Sequence, residues 1–266
     1  MSPAPMIATV VIVKAHVLYK GDVALSGKVA LVTGGSRGIG LAIARALLAE
    51  GVRVAITATS DATLHAGSAA LAAALPSAGR AADVFAIRAD VRRHEQVDRA
   101  VASAVERFGG IDILVNNAGV GIFKPVADLS VDEWHTILDT NLTGPFYCCR
   151  AALPHLRARG GGWIVNISSL SGKHPFADAA AYCASKAGLN AFSDALMQEV
   201  RHDGIRVTCI MPGSVRTEFG ARRPGSDDWR LAPEDIAQAV CDAVRHPARS
   251  LPSAIEIRPS QPPKKS

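Results

Sequence analysis

From Lys28 onward, short β-branched runs alternate without a break with longer Ala/Leu-rich stretches of helical period. No other feature of the chain limits its fold as tightly. Parallel strands must be joined by a crossover, usually a helix, so unbroken alternation implies a continuous parallel sheet covered by helices on both faces. Strands are expected at Val29–Thr33, Val52–Thr57, Val84–Arg88, Ile111–Val115, Trp163–Ile167, Arg206–Met211 and Ala254–Ile257. Helices are expected over Leu41–Glu50, residues 61–75, Gln96–Phe108, Ala179–His202 and Pro233–Val244. One more opens at Ser130-Val131-Asp132-Glu133, which has capping-box spacing, and runs as a single long helix past Trp134 towards Arg159. No linker, repeat or compositional shift marks a second domain. The expectation is one doubly wound α/β domain over residues 27–259, with an extension of unassigned role at 1–26 and a flexible tail at 260–266.

Composition narrows the function classes. Apolar residues make up 48% of the 266 and charged residues 20%, enough for a sizeable core. Aromatics are only 5%, which suits thin helices on a buried sheet better than a β-sandwich. The five cysteines (Cys148, Cys149, Cys183, Cys209, Cys241) form no CxxC pair, which argues against a disulfide scaffold and against a metal site. A reducing, cytoplasmic setting is the default expectation. The net charge of +5 raises nucleic acid as a partner. Basic residues are scattered, however, apart from Arg222-Arg223 and Lys264-Lys265, and no recognition motif accompanies them, so no nucleic-acid partner is expected. No apolar run approaches the roughly 18 residues needed to cross a bilayer. The short apolar run Met6–Val13 follows no positive charge and is broken by Lys14, so no signal peptide and no membrane association are expected.

In a doubly wound sheet, ligands bind beyond the carboxyl ends of the strands. After the first strand stands Thr33-Gly34-Gly35-Ser36-Arg37-Gly38-Ile39-Gly40. Glycines here permit a tight turn, close approach of a diphosphate, and a helix N-terminus facing it. No Lys-Ser/Thr follows, which removes a P-loop NTPase. After the fourth strand comes Asn116-Asn117-Ala118-Gly119, small enough for a ribose or nicotinamide to lie on the backbone, with Asn able to brace the sheet ends. Asp90, followed by Val91, stands where a carboxylate would accept from an adenine amino group. Each of these alone is more often a plain turn or cap.

The cluster that decides is Ser169, Tyr182 and Lys186. Tyr182 and Lys186 are i and i+4, so a helix puts them on one face. A free phenol titrates near 10, unsuited to proton transfer at neutral pH, and an ammonium one turn away is expected to favour the phenolate. Ser169, after the fifth strand, can donate to the same substrate oxygen that Tyr182 protonates.

With these residues in place, the chain resembles the short-chain dehydrogenase/reductase (SDR) family from about Ser26 to Pro259. The matching motifs are Thr33–Gly40, Asn116–Gly119, Ser169, Tyr182-x-x-x-Lys186 and Pro212-Gly213. The resemblance implies a Rossmann fold, with Asn141 completing a catalytic tetrad through a water-linked relay with Lys186. It further implies cofactor contacts from Gly34, Ser36, Arg37, Gly38, Ile39, Gly40, Thr59, Asp90, Val91, Asn117, Ala118, Gly119, Tyr182, Lys186, Pro212, Gly213, Val215 and Thr217. The implied reaction is hydride transfer between a nicotinamide and a carbonyl or alcohol carbon.

Members that prefer NAD place an acid at the end of the second strand; here Ala58 takes that position, followed by Thr59 and Ser60. With Arg37 available for a 2′-phosphate, the pattern is similar to that of 3-oxoacyl-acyl-carrier-protein reductases and favours NADP, while Asp61 keeps NAD open. The ending Ile255–Pro259 lacks those enzymes' glycine-rich segment, which weakens the case for an acyl substrate. His174 and Phe176 are expected to line the pocket, and the segment between Thr217 and Pro233, carrying Arg222 and Arg223, to form a short lid. The two long helices, about 134–159 and 179–202, are expected to form a homodimer or homotetramer interface. The rival expectations are an NAD-dependent secondary alcohol or polyol dehydrogenase, and a non-catalytic nucleotide sensor, which would have no need of an intact tetrad.

Overall fold

The computed structural model describes residues 24–75, 83–219 and 229–262. Most of the expected extension, Arg222-Arg223, and the end of the tail with Lys264-Lys265 lie outside the described residues. Seven strands form one sheet: β1 (Val29–Val32), β2 (Arg53–Ala58), β3 (Val84–Arg88), β4 (Ile113–Asn116), β5 (Gly162–Ile167), β6 (Ile205–Pro212) and β7 (Ala254–Ile257). Their order is β3-β2-β1-β4-β5-β6-β7, and every neighbouring pair is parallel. The central strands β1 and β4 are buried along their whole length, which is why they read as unbroken apolar runs instead of alternating ones.

The helices are α1 (Gly38–Ala49), α2 (Asp61–Ala73), α3 (His94–Phe108), α4 (Val131–Leu138), α5 (Gly144–Ala158), α6 (Ala180–Val200) and α7 (Pro233–Arg245). One core lies between the sheet and α1, α2 and α7, filled by residues such as Ile43, Leu47, Leu71, Ile236 and Val240. The other lies under α3, α5 and α6, with Val101, Leu156, Leu196 and Val200. Each such side chain contributes about 1.5–3 kcal/mol by leaving water. The winding direction reverses between the neighbours β1 and β4, which places the binding crevice beyond their carboxyl ends.

At the opposite end of the sheet, Asp112 is buried and fully engaged. It accepts from the Val29 backbone N–H at 2.9 Å, from Lys28 Nζ at 3.3 Å and from Arg159 Nε and Nη2 at 3.2 and 3.3 Å.

One expectation fails usefully. The capping box at Ser130 forms, but the single long helix does not. α4 stops at Leu138, a π turn follows over Asp139–Thr143, and α5 begins at Gly144. The cause is Pro145. It has no N–H to give to the Asn141 carbonyl four residues back, and its ring would crowd that carbonyl. The Gly144 N–H instead reaches five residues back to the Asp139 carbonyl. Gly144 also abuts α3's approach, since a Cβ there would lie 2.9 Å from Val91 Cγ2.

Candidate active site

The turn after β1 is shaped for close backbone approach. Gly34 and Gly38 have left-handed backbones, with φ of 62° and 54°. A Cβ on Gly40 would sit 2.3 Å from the Gly34 carbonyl oxygen, so only glycine lets the turn fold onto the start of α1. α1 begins without a side-chain cap and without an acid in its first turn, which leaves its first amide protons and dipole directed at an anion. These features fit a dinucleotide's diphosphate. Asn117 braces the turn: its Nδ2 donates to the carbonyls of Thr33 at 2.9 Å and Gly34 at 3.1 Å. Thr33 Oγ1 in turn accepts from the backbone N–H groups of Asn117 and Ala118, tying the loops after β1 and β4 together. Ser36 and Ile39 face inward, Ser36 beneath Gly67 of α2.

Across the crevice, Thr217 faces the glycine turn, its Cγ2 3.6 Å from where a Gly38 Cβ would be. Val215 bridges to Leu231 through its neighbours' backbone groups, Ser214 O and Arg216 N. Pro212 and Gly213 are held against β7, with Gly213 N–H donating to the Ile257 carbonyl at 2.8 Å. Arg37 makes a 3.1 Å ion pair with Glu218. Both side chains are exposed, so the pair is worth under about 1 kcal/mol and does little to fix Arg37 in place.

Beyond β2 and β3 lies a cleft of about 360 Å³ lined by Thr59, Arg88, Asp90, Gln96 and Arg99. Arg92 grips both oxygens of Asp90 and holds its carboxyl below the usual range. Val91 points the other way, into the core. Asp61 opens α2 and pairs with Arg88 at 2.9 Å, both exposed. That Arg88 lines this cleft was not legible from the sequence, because an arginine ending an edge strand reads as a solvated charge.

The catalytic candidates converge at the ends of β4 and β5. A buried polar chain fixes α6 against these strands: Asn116 Nδ2 donates to Asn166 Oδ1 at 2.8 Å, and Asn166 Nδ2 to Ser193 Oγ at 2.8 Å. Ser168 adds a second tie, donating to Asn190 Oδ1 at 2.6 Å. Ser169 is thereby presented at the strand end, and Tyr182 and Lys186 on the facing side of α6. Asn141, in the π turn, exchanges bonds with the Val120 backbone, its Nδ2 donating to the carbonyl and its Oδ1 accepting from the N–H, both at 2.9 Å. Gly119 lies between, its would-be Cβ 3.4 Å from Asn141 Oδ1 and 3.9 Å from Lys186 Nζ.

The electrostatics differ from the expectation drawn from spacing alone. Burial pushes the Tyr182 phenol up, with a hydrogen bond from Ser169 pulling the other way. Lys186 is itself fully buried and pushed down to about 8 by that burial, its Nζ donating to the Ile167 carbonyl at 2.9 Å and standing 5.9 Å from the Tyr182 ring. Desolvation therefore outweighs the attraction of an ammonium one turn away. The five cysteines are all buried, and burial raises Cys149 to about 12, so no reactive thiolate competes for this chemistry.

Around Tyr182 stand rings that sequence reading only partly found. Phe176 was expected; Phe123 and Phe219 were not, because three separate loops must converge to bring them together. His174 turns away, its Nε2 3.0 Å from Arg258. Among the described residues no helix is long and apolar enough to cross a membrane, and no group of three His, Cys, Asp or Glu could hold a metal ion.

The family model for short chain dehydrogenases matches residues 28–226, and the chain belongs to that family of NAD(P)-dependent oxidoreductases. An uncharacterized oxidoreductase of Staphylococcus aureus (strain MRSA252) is 34% identical over 235 residues, spanning 88% of this chain and 98% of that protein. A metagenomic short-chain oxidoreductase solved in complex with NADP matches with a TM-score of 0.77 at 36% identity, over 90% of this chain and 100% of that one. A variant of actinorhodin polyketide ketoreductase, solved with NADPH, matches with a TM-score of 0.79 at 32% identity, over 87% of this chain and 96% of that one.

Proposed function

We propose that the protein is an NADPH-dependent reductase that converts a small-molecule ketone into a secondary alcohol. The observation that carries this is the meeting of Ser169, Tyr182, Lys186 and Asn141 at one strand end, beside a glycine turn fitted to a dinucleotide. The bound nicotinamide supplies the hydride. The Tyr182 hydroxyl, kept protonated by burial, gives its proton to the carbonyl oxygen, and Ser169 donates a hydrogen bond to that same oxygen. Lys186, whose Nζ already donates to the Ile167 carbonyl, would hold the nicotinamide ribose with its remaining N–H groups. The Asn141 carbonyl, to which Pro145 has no N–H to give, would accept from a water that returns a proton through Lys186.

Gly34–Gly40 would hold the diphosphate, Asp90 would accept from the adenine amino group, and Ala118, Gly119, Val215 and Thr217 would hold the nicotinamide. Arg37, Thr59 and Arg88 read the 2′-phosphate. Ala58 at the end of β2 offers no acid to repel it, and two of the similar structures hold NADP or NADPH. On this reading the enzyme works in the cytoplasm as a homodimer or homotetramer built through α4, α5 and α6. Phe146 on α5, exposed and 6.5 Å from Phe192 on α6, supplies apolar surface for that assembly.

Titration with NADPH and NADH, followed by nicotinamide fluorescence, tests the reading. Micromolar NADPH binding with much weaker NADH is expected, followed by reductive turnover of ketones. The reverse preference would move Asp61 into the role of ribose reader and the enzyme to NAD-linked alcohol oxidation.

A further inference from the structure

We infer that the substrate is a neutral ketone carrying an aryl or equally flat apolar group beside its carbonyl, an inference that rests on the ketone-reductase reading above. The Tyr182 ring is flanked by Phe123, edge-on at 5.5 Å and 66°, and by Phe219 at 5.8 Å and 51°. Phe176 continues the wall, stacked on Phe123 at 6.0 Å and 30°. The three rings come from the loops after β4, β5 and β6, the same loops that carry the site.

This placement is not what composition predicts. The chain has seven phenylalanines; two of them flank one tyrosine, and a third stacks on the first of these. Phe123, Phe176 and Phe219 are 40%, 51% and 45% exposed, so a large part of each ring still faces water. The area still facing water is apolar, and its burial is left for whatever covers it. The convergence also depends on one glycine: a Cβ on Gly121 would lie 2.8 Å from Phe219 Cε1 and 3.0 Å from Phe123 Cζ.

Charge on the surrounding described residues argues for a neutral ligand. Lys173 pairs with Glu256 at 3.0 Å, Arg258 with Glu256 at 2.7 Å, and Arg37 with Glu218 at 3.1 Å. Lys173 and Arg258 thus share one carboxylate, Arg37 is turned to Glu218 on the cofactor side, and His174 is turned to Arg258, so none of these groups is directed at the ring wall. A flat ring laid against Phe123 and Phe176 would bring an adjacent carbonyl to the Tyr182 hydroxyl, whereas a small aliphatic ketone would leave the wall uncovered.

The test is a steady-state comparison of acetophenone, 2-butanone and 2-oxobutanoate with NADPH and the full chain. We expect kcat/KM for acetophenone to exceed that for 2-butanone by about 100-fold, the scale on which a few apolar contacts discriminate, with 2-oxobutanoate slower still. Phe123→Ala and Phe219→Ala should each reduce that ratio about tenfold, chiefly through KM, while Phe123→Tyr preserves it. Equal or better turnover of 2-butanone or 2-oxobutanoate by the unaltered protein, or an unchanged ratio in both alanine variants, would overturn the inference. If no ketone is reduced with either nucleotide, the reductase reading falls, and ligand-observed NMR of acetophenone decides the subsite alone. Binding lost in the alanine variants supports it; no binding, or binding equal in all forms, overturns it.

Discussion

The two ends of the sheet are built from the same strands and solve opposite problems. At the amino end, Asp112 is buried with every partner it needs: a backbone N–H, a lysine and both arms of an arginine. At the carboxyl end, α1 starts uncapped, Lys186 is buried against a single carbonyl, and three phenyl rings stand half-exposed. Satisfied polar groups hold a fold; unsatisfied ones wait for a ligand. The difference teaches where to look for chemistry in a sheet of this kind, because local stability has been withheld there.

The sharpest way to break the comparison is Tyr182→Phe. It should cost about 10²–10⁴ in kcat/KM while moving Tm by less than about 2 °C. Full activity in that variant on any accepted ketone would remove the assigned acid. Asp112→Ala should do the reverse, with about 3 kcal/mol of stability lost in denaturant melts and kcat/KM per folded molecule unchanged, because two cations lose their buried partner.

Lys186→Met probes the cost of the buried charge. Burial holds this lysine near 8 in the folded chain against 10.5 in the unfolded one. Below pH 8 both states carry the proton and the folded state bears the full cost; between 8 and 10.5 the folded state sheds its proton first and the cost fades. The variant should therefore be more stable than the parent by about 2–3 kcal/mol at pH 7, with the gap narrowing as pH rises to 10. A gap independent of pH would contradict the burial argument. The smallest effect is expected from Arg88→Ala, about tenfold weaker NADPH binding with NADH unchanged, measured by fluorescence titration.

Much of this was legible in the residues. Unbroken alternation foretold the parallel sheet, and the candidate residues stand where it placed them, Gly34–Gly40 and Ser169 after strands and the Tyr182–Lys186 pair on one helix. What escaped was whatever depended on burial or on distant loops meeting. The direction of the Tyr182 shift follows from desolvation, which spacing does not reveal. Phe123 and Phe219 are nearly 100 residues apart, so nothing local in the sequence joins them at Tyr182. The broken helix, by contrast, had a visible signal, since Pro145 sits inside an otherwise helical pattern.

That proline carries a consequence for anyone editing this protein. A π turn holds one residue more than an α-helix needs, so a single deletion among 139–143 would take away the slack that seats Asn141 while leaving α4 and α5 nearly in phase, and Pro145 would still withhold its N–H from the carbonyl four residues back. The Asn141 amide would lose its place on the Val120 backbone. A length change harmless in most surface helices would here remove the asparagine from the site and leave the rest of the scaffold standing.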